Sequence, residues 1–187
     1  MLFSVLISLN SNGKTICIDD DVQLRNGIYY LPNQQDPFNG KNLCKYTIYK
    51  KKSKGEILNG RKHGEWSYWY KNGQLEQQEN YKNGNWHGLQ VLWFKNGQKI
   101  VEQFFQNGKE DGEVVEWYEN GQIKQKGNVI NQRSEGKWFG WYENGQMSFE
   151  ESYKKGKLDG KLIWWYKNGQ VDRESTYKNG KCVSGDC

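Results

Sequence analysis

With 187 residues, the chain is long enough for one ordinary domain or for one short array of repeats. Its aromatic fraction of 15% argues against a disordered protein, and no apolar run is long enough to cross a bilayer as a helix. The net charge of +5 comes from 27 basic and 22 acidic residues that are interspersed, which favours a solvated surface over a nucleic-acid groove.

Residues 1–21 form an N-terminal apolar segment, and its most apolar stretch runs from Met1 to Asn10. This stretch has the length of the apolar region of a signal peptide, but it lacks a basic start and a clear small-residue cleavage site. Two interpretations remain open, the remnant of a signal peptide and a first strand. The location of the protein is equally open between export to the cell surface and the cytoplasm.

Four cysteines lie outside the regular part of the sequence. An even number in an exported chain is compatible with disulfides, and two of the four are close enough along the chain to close a small loop. Their spacing matches none of the zinc-binding patterns, so we expect no metal at these thiols. Their disulfide state is open from the sequence. They are Cys17, Cys44, and the close pair Cys182 and Cys187.

Residues 22–60 are predicted to form degenerate first repeats or an N-terminal cap, because the repeat pattern is incomplete there. Five complete units of 24 residues follow, and a tail at 181–187 contains the start of a sixth. Each complete unit has Trp, then Tyr or Phe, one variable residue, and Asn-Gly-Gln at the same place. A fixed period of this size indicates a repeat architecture. The units are 61–84, 85–108, 109–132, 133–156 and 157–180.

Two glycine-containing turn signals occur in each unit. Asn72-Gly73 and its equivalents favour a two-residue type I′ hairpin, in which both central residues have a positive φ. The second signal spans Gly84 to Gly88, and it weakens in the third unit, where Gln132 replaces the expected glycine. The glycines predicted to serve as structural turns are Gly73, Gly97, Gly121, Gly145 and Gly169 in the first set, and Gly64, Gly88, Gly112, Gly136 and Gly160 in the second.

The runs between these turns are rich in aromatic and β-branched residues and show no helical period. Hairpins that follow one another without a crossover helix predict an all-β fold. We expect an elongated antiparallel meander of tandem β-hairpins in a single twisted sheet. At two strands per unit, the five units would extend about 50 Å.

A two-residue loop also predicts the strand register. It places Tyr70 opposite Leu75 and Trp69 opposite Glu76. In four of the five units it places a glycine opposite an aromatic ring, which can cover the bare backbone. The predicted pairs are Gly64–Tyr81, Gly88–Phe105, Gly112–Val129, Gly136–Tyr153 and Gly160–Tyr177, with a further pair Gly140–Phe149.

Strand alternation then predicts one apolar face, containing Trp66, Tyr68 and Tyr81, and one mixed face. No helix or second sheet is evident that would cover the apolar face, so either the meander twists enough to cover itself or another surface covers it. We expect a protein partner or a second copy of the chain there. Two sets of aromatic residues are candidates for partner binding. They are Trp69, Trp93, Trp117, Trp141 and Trp165 on the mixed face, and Tyr70, Phe94, Tyr118, Tyr142 and Tyr166 beside Leu75, Ile123, Met147 and Val171 on the apolar face. The alternative for the tryptophans is structural, with the rings shielding the strand backbones and packing on Val91, Val115, Phe139 and Ile163.

The segments YKNGNWHGLQVLWFKNGQ, from Tyr81, and YKKGKLDGKLIWWYKNGQ, from Tyr153, resemble bacterial variants of the MORN repeat. Pro37-Phe38-Asn39-Gly40 resembles the opening segment often found before such repeats, so the resemblance covers about residues 22–187. The sequence departs from the repeat pattern at 41–60 and at 131–134. We expect the connections between neighbouring units to bend or fray at these two places. Choline- and glucan-binding repeats combine similar residues, but their units are shorter and their aromatic residues cage a ligand.

The resemblance implies a ladder of β-hairpins that mediates protein association, and some relatives are linked to membrane attachment. We therefore expect an interaction or scaffold protein whose partner is another protein or a second copy of the chain. One alternative is a cell-surface or membrane-associated ligand binder, with a membrane surface as partner. The other is an antitoxin or immunity protein that binds a cognate toxin, since many bacterial relatives carry the label of a YwqK-type antitoxin.

Two histidines, His63 and His87, occupy the same place in successive units, where later units have acidic residues. They are predicted to be turn residues about 10 Å apart, too far to share a metal ion or to act as an acid–base pair. No nucleophile motif occurs. We expect no enzymatic activity, no cofactor, no metal and no nucleic-acid partner.

Overall fold

The computed structural model describes residues 13–187, so the expectations for Met1–Asn10 lie outside the described residues. The described chain forms a fifteen-stranded sheet and a separate two-stranded sheet. None of its residues form a helix with the length and apolarity needed to cross a membrane. The strands are β1 Thr15–Ile16, β2 Gln23–Arg25, β3 Ile28–Tyr30, β4 Gly40–Thr47, β5 Lys50–Leu58, β6 Arg61–Trp69, β7 Leu75–Lys82, β8 Asn85–Trp86, β9 Gly88–Trp93, β10 Lys99–Gln106, β11 Lys109–Trp117, β12 Ile123–Ile130, β13 Arg133–Trp141, β14 Met147–Lys154, β15 Lys157–Trp165, β16 Val171–Lys178 and β17 Lys181–Gly185.

From β4 to β17 the large sheet is an antiparallel meander, in which each strand pairs with its sequence neighbours and the short β8 lies beside β7. This confirms the predicted all-β architecture. The N-terminal part adds two features that the sequence did not predict. β1 pairs with β4 in parallel, with Thr15 opposite Lys41, and β2 and β3 form the two-stranded sheet.

A buried apolar core lies at the N-terminal end of the large sheet, where residues 16–38 pack across one face. Ile16 and Phe38 are buried against Ile57 and Trp66, and Trp66 has no exposed surface. The expectation that nothing in the chain covers a sheet face is therefore wrong at this end. The partly buried residues around the core are Ile18, Val22, Tyr29, Leu31, Tyr68 and Tyr81.

All four cysteines form disulfides. Cys17–Cys44 joins the residue after β1 to β4, with the Cα atoms 4.6 Å apart, and Cys44 is buried. Cys182–Cys187 joins β17 to the residues that follow it, with the Cα atoms 5.8 Å apart. The two disulfides lie at opposite ends of the repeat array and outside all five units.

The turn inside each unit has three residues, not the predicted two. The carbonyl of Tyr70 accepts a hydrogen bond from the amide of Gly73, and the amide of Tyr70 donates to the carbonyl of Gln74, both at 2.9 Å. Gly73 has a φ of 93°, whereas Lys71 and Asn72 do not have a positive φ. The loop is therefore a type I turn followed by a left-handed glycine, which is the usual three-residue hairpin.

The type I′ turns lie instead at the joints between units. Asn83 and Gly84 have φ values of 53° and 84°, and the flanking residues Lys82 and Asn85 pair across the turn. At the glycine-poor joint, Asn131 and Gln132 adopt the same turn with φ values of 50° and 64°. Pairing of β12 with β13 continues through this joint, and β4 pairs with β5 at the other joint where bending or fraying was expected.

The three-residue turn shifts the register next to it by one residue. Trp69 pairs with Leu75, not with Glu76, and the predicted pairing of Tyr70 with Leu75 does not occur. A bulge at Glu76 restores the predicted register, so that Tyr68 pairs with Gln77. All six predicted glycine pairs are confirmed, namely Gly64–Tyr81, Gly88–Phe105, Gly112–Val129, Gly136–Tyr153, Gly160–Tyr177 and Gly140–Phe149.

The physical reason proposed for most of these glycines is wrong. A Cβ atom at Gly64 or Gly136 would meet open space, and one at Gly160 would lie 2.8 Å from the Cβ of Ser152, not against Tyr177. A positive φ, 126° at Gly160, is what favours glycine at these places. Aromatic rings do cover other glycines: Trp66 lies over Gly55, Trp138 over Gly127, and Phe149 over Gly140.

Candidate functional site

The five predicted tryptophans form one column on one face of the sheet, which we call the Trp69 face. Each indole is half-buried, and each pairs across its hairpin with the first residue of the next strand. Because of the register shift, the aliphatic residues predicted for the opposite face lie beside this column. The pairs are Trp69–Leu75, Trp93–Lys99, Trp117–Ile123, Trp141–Met147 and Trp165–Val171.

A second apolar column runs beside the tryptophans, two residues earlier in the same strands, and contains Val91, Val115, Phe139 and Ile163. Phe139 and Trp141 have ring centroids 6.2 Å apart. Lysines lie over three of the indoles, with Lys51 5.4 Å from the ring of Trp69 and Lys99 5.3 Å from that of Trp117. The third is Lys126 over Trp141. The Trp69 face therefore combines an apolar strip with a charged margin.

Three members of the second candidate set, which comprises Tyr70, Phe94, Tyr118, Tyr142 and Tyr166, connect successive units. The hydroxyl of Tyr70 donates a hydrogen bond of 2.7 Å to the carbonyl of Trp93 in the next unit, and Tyr118 and Tyr142 make the equivalent bonds. Phe94 has no hydroxyl. Tyr166 lies in the last complete unit and is 53% exposed. Its pKa is raised, first because its hydroxyl is hydrogen-bonded to Asp172. The bonds between units give three of the five members a structural role, whereas the role of the set in partner binding stays a prediction.

The opposite face, which we call the Trp66 face, is not the apolar surface that was predicted. Its centre contains buried polar side chains, of which Glu79 is only 3% exposed. The Glu79 carboxylate accepts hydrogen bonds from Tyr81 at 2.7 Å, from Trp86 at 3.1 Å and from Gln90 at 3.0 Å, and also from Gln77. Gln103 then donates to Gln90 at 2.6 Å. Both faces are therefore mixed.

Lys62 lies among aromatic rings on the Trp66 face of the first unit. Its ammonium is 4.6 Å from the ring centroid of Trp66, 5.1 Å from that of Tyr68 and 5.0 Å from that of Tyr81, and it donates to the Tyr68 hydroxyl. The pKa of Lys62 is lowered by burial, and the negative charge of Glu79 offsets part of this effect. Burial also raises the pKa of the Tyr68 hydroxyl. The arrangement is an aromatic cage that holds the chain's own cation.

An open groove of about 700 Å³ adjoins the first tryptophan of the Trp69 face. It lies between β4, β5 and β6, and its lining includes Lys41, Lys51, Lys54, Glu65 and Trp69. The groove continues the Trp69 face towards the N-terminal end of the sheet. It adds basic side chains to one end of the apolar strip.

His63 lies within β6, so its assignment to a turn is wrong, while His87 lies between β8 and β9. The Nδ1 atoms of both are buried without a hydrogen-bond partner among the described residues. Among residues 13–187, one cluster, Cys17, Asp19 and Cys44, has potential metal-ligating atoms close together. Its two sulfur atoms are joined in a disulfide, which leaves no thiolate for a metal.

Neither the cage nor the buried carboxylate was predicted from the amino-acid sequence. A signal was present, since Glu79 and Tyr81 recur as Glu151 and Tyr153 at the same place three units later. The pair is not part of the common repeat pattern, because the other three units have Gln103, Gly127 or Ser175 at the position of Glu79.

A comparison with protein-family models gives five matches to the family described as MORN repeat variant. The matched segments cover 110 of the 187 residues and are 62–83, 86–107, 110–131, 134–155 and 158–179. No curated protein matches the chain significantly.

Proposed function

We propose that this chain, which belongs to the MORN repeat variant family, is a non-enzymatic interaction protein that binds another protein through the Trp69 face. The observation that carries the proposal is the column of five half-buried indoles, four of which pair across the hairpin with an apolar side chain. Tryptophan is among the residue types that contribute most to protein–protein binding.

The surroundings of the column also support a protein interface. Ion pairs lie along its margin, including Lys137–Glu150 at 2.7 Å and Lys161–Glu174 at 3.1 Å. An apolar centre with a charged rim is the usual anatomy of an interface. The strip would present roughly several hundred Å² of apolar surface, which is the scale at which exposed patches mark interaction sites.

The non-enzymatic part of the proposal rests on the state of the reactive side chains. All four cysteines are in disulfides, and the two histidines lie in successive units with no hydrogen bond at Nδ1 from any of residues 13–187. Nucleophilic catalysis needs a nucleophile and a base within hydrogen-bond distance of each other. An antitoxin that binds one toxin would be a special case of the same interaction function.

The test places a charge in the middle of the strip. Ile123 pairs with Trp117 and is 37% exposed, so Ile123→Asp would interrupt a bound interface at a small cost to folding. The matched control is Leu24→Asp, because Leu24 is exposed on the small N-terminal sheet. Sedimentation equilibrium and affinity capture should show loss of binding for Ile123→Asp alone. Equal behaviour of both variants and the wild type would refute the proposal.

A second candidate function is that of an exported surface protein that uses the same face for ligand binding. The two disulfides favour it, because disulfides persist in oxidising compartments and are rare in the cytosol. Thiol alkylation of protein taken directly from the native host, followed by mass spectrometry, tests the location. Alkylation of all four cysteines without prior reduction would rule out the exported form.

A further inference from the structure

The cage around Lys62 has a counterpart in the fourth unit. Three contacts of the first unit recur there at equivalent positions. The indole of Trp138 lies over Gly127 as that of Trp66 lies over Gly55. Trp138 donates to the carbonyl of Asn128 at 3.2 Å, as Trp66 donates to Glu56 at 3.0 Å.

The third contact concerns the carboxylate. The hydroxyl of Tyr153 donates to Oε2 of Glu151 at 2.7 Å, and the hydroxyl of Tyr81 donates to Oε2 of Glu79 at the same distance. The register is also the same, because Trp138 pairs with Glu151 as Trp66 pairs with Glu79. The fourth unit therefore reproduces the tryptophan, the tyrosine and the carboxylate of the first.

The cation of the first unit has no counterpart. Ser134 pairs with Val129 in the way that Lys62 pairs with Ile57, so a short hydroxyl side chain replaces the lysine. Within residues 13–187, none of the cation–ring contacts involves the rings around Glu151, and Glu151 takes part in none of the ion pairs. Arg173 pairs with Trp164, and among the described residues it takes part in none of the cation–ring contacts or ion pairs.

Two further rings complete the surroundings of Glu151. Gly140 stands in the place of Tyr68, and Phe149, which pairs with Gly140 and stands in the place of Gln77, places its ring over this glycine. The centroid of the Phe149 ring is 6.1 Å from that of Trp164. Trp164 donates to Oε1 of Glu151 at 3.0 Å and is 46% exposed. We call this group the Glu151 cup. Its members are Trp138, Phe149, Glu151, Tyr153 and Trp164.

We infer that the Glu151 cup binds an alkylammonium ion, the chemical group of a lysine side chain. The first unit shows what this arrangement holds, because Lys62 inserts its own ammonium among the equivalent rings. Glu79 accepts four hydrogen bonds from side chains, whereas Glu151 accepts two, so the Glu151 carboxylate retains lone pairs for a cationic donor. Cations bind favourably over tryptophan and tyrosine rings.

The inference does not depend on the proposed function, because it concerns the other face of the sheet. The probe is n-butylammonium chloride, with n-butanol and sodium chloride as controls for shape and for ionic strength. Nuclear magnetic resonance of the indole N–H groups distinguishes individual tryptophans. Butylammonium should shift the Trp138 and Trp164 signals saturably, at an affinity on the order of millimolar. The Trp66 signal should not move, because its cage is already occupied.

Ser134→Lys gives the fourth unit the lysine of the first, so it should abolish the response to butylammonium, whereas Ser134→Ala should retain it. Glu151→Gln removes the charge while keeping an amide oxygen as acceptor, and should weaken binding by about fivefold or more. This second variant decides the question if Ser134→Lys does not fold. Equal shifts with n-butanol, or an unchanged response in Glu151→Gln, would overturn the inference.

A final titration identifies the source of the cation. If the natural ligand is a polypeptide, the peptide Gly-Lys-Gly should bind more tightly than butylammonium and shift the same two indoles. Equal affinity would indicate that a free alkylammonium ion is sufficient. A peptide that shifts neither indole, together with no response to butylammonium, would show that the Glu151 cup is not a cation site.

Discussion

The hydroxyl of Tyr118 donates a hydrogen bond of 2.8 Å to the carbonyl of Trp141, which belongs to the next unit. Beside it, the side-chain amide of Asn120 donates to the carbonyl of Glu143 at 3.3 Å. Both bonds connect a residue at the hairpin turn of one unit with a residue at the hairpin turn of the next unit. The turn end of the sheet is therefore held together by side chains as well as by strand pairing.

The second unit lacks the hydroxyl of this connection, because Phe94 stands in the place of Tyr118. Phe94→Tyr should add a hydrogen bond to the carbonyl of Trp117 and raise the free energy of unfolding by about 0.5–1 kcal/mol. Tyr118→Phe should lower it by about 1 kcal/mol. Urea unfolding of both variants is the measurement. Opposite signs support the connection, and two changes of the same sign would contradict it.

Gln132 occupies a left-handed position with a φ of 64°, where the equivalent turns have glycine. Gln132→Gly should stabilise the protein by about 1 kcal/mol, because glycine adopts this conformation without a steric penalty. Gly108→Gln, at the equivalent place in the preceding joint, should destabilise it by a similar amount. Thermal unfolding would show a higher midpoint for the first variant and a lower one for the second. A lower midpoint for Gln132→Gly would exclude the turn assigned to this joint.

Gly160 combines a φ of 126° with a close approach to Ser152 on the neighbouring strand. Gly160→Ala should lower the free energy of unfolding by about 1–2 kcal/mol. Lys161→Ala, at the exposed neighbouring position, should lower it by about 0.5 kcal/mol at most. Adding Ser152→Gly should reduce the cost of Gly160→Ala, whereas Tyr177→Leu should not. A reduction by Tyr177→Leu instead would restore the original explanation, in which the ring of Tyr177 needs the space.

The tyrosine hydroxyls on the Trp66 face predict a loss of stability at alkaline pH. The pKa of Tyr153 is raised above 10.0, first by burial and then by its hydrogen bond to Glu151. The unfolded phenol ionises first as the pH rises through 10, so the stability is present below that pH and declines above it. The free energy of unfolding should fall less steeply between pH 9 and 11 in Tyr153→Phe than in the wild type.

The control for this experiment is Tyr177→Phe, since Ser175 stands at the place of Glu151 in that unit. Urea unfolding at several pH values gives the slope for each protein. Other tyrosines on the Trp66 face contribute to the total slope, and only the difference between Tyr153→Phe and the wild type isolates one hydroxyl. Identical slopes for wild type and Tyr153→Phe would show that this hydroxyl is not protected from ionisation.

The disulfide Cys17–Cys44 should contribute more stability than Cys182–Cys187, because it closes the longer segment, with a separation of 27 residues against 5. Restriction of the unfolded chain predicts about 3–4 kcal/mol for the first and about 2 kcal/mol for the second. The double variants Cys17→Ser/Cys44→Ser and Cys182→Ser/Cys187→Ser, compared by urea unfolding, test the order. The reverse order would mean that β1 is held mainly by its packing and pairing.

The sequence by itself determined the all-β repeat architecture, because turn signals recur with a 24-residue period and the runs between them are rich in aromatic and β-branched residues without a helical period. It also predicted the glycine pairs such as Gly64–Tyr81, which occur in the structure because the bulge at Glu76 offsets the one-residue shift of the three-residue turn. The candidate tryptophan column followed from the same spacing. These properties are local, and short-range turn and strand preferences are sufficient to fix them.

Only the tertiary structure decided which side chains share a face near the turn and what occupies the space above the sheet. A one-residue difference between a two-residue and a three-residue loop moved Leu75 beside Trp69, because neighbouring side chains of a strand point to opposite faces. The packing of residues 16–38 on Trp66 joins segments far apart in the sequence, and Lys62 inserts among three rings of its own unit. Such contacts depend on the volume and charge of the neighbouring side chains in three dimensions, which a repeat pattern does not specify.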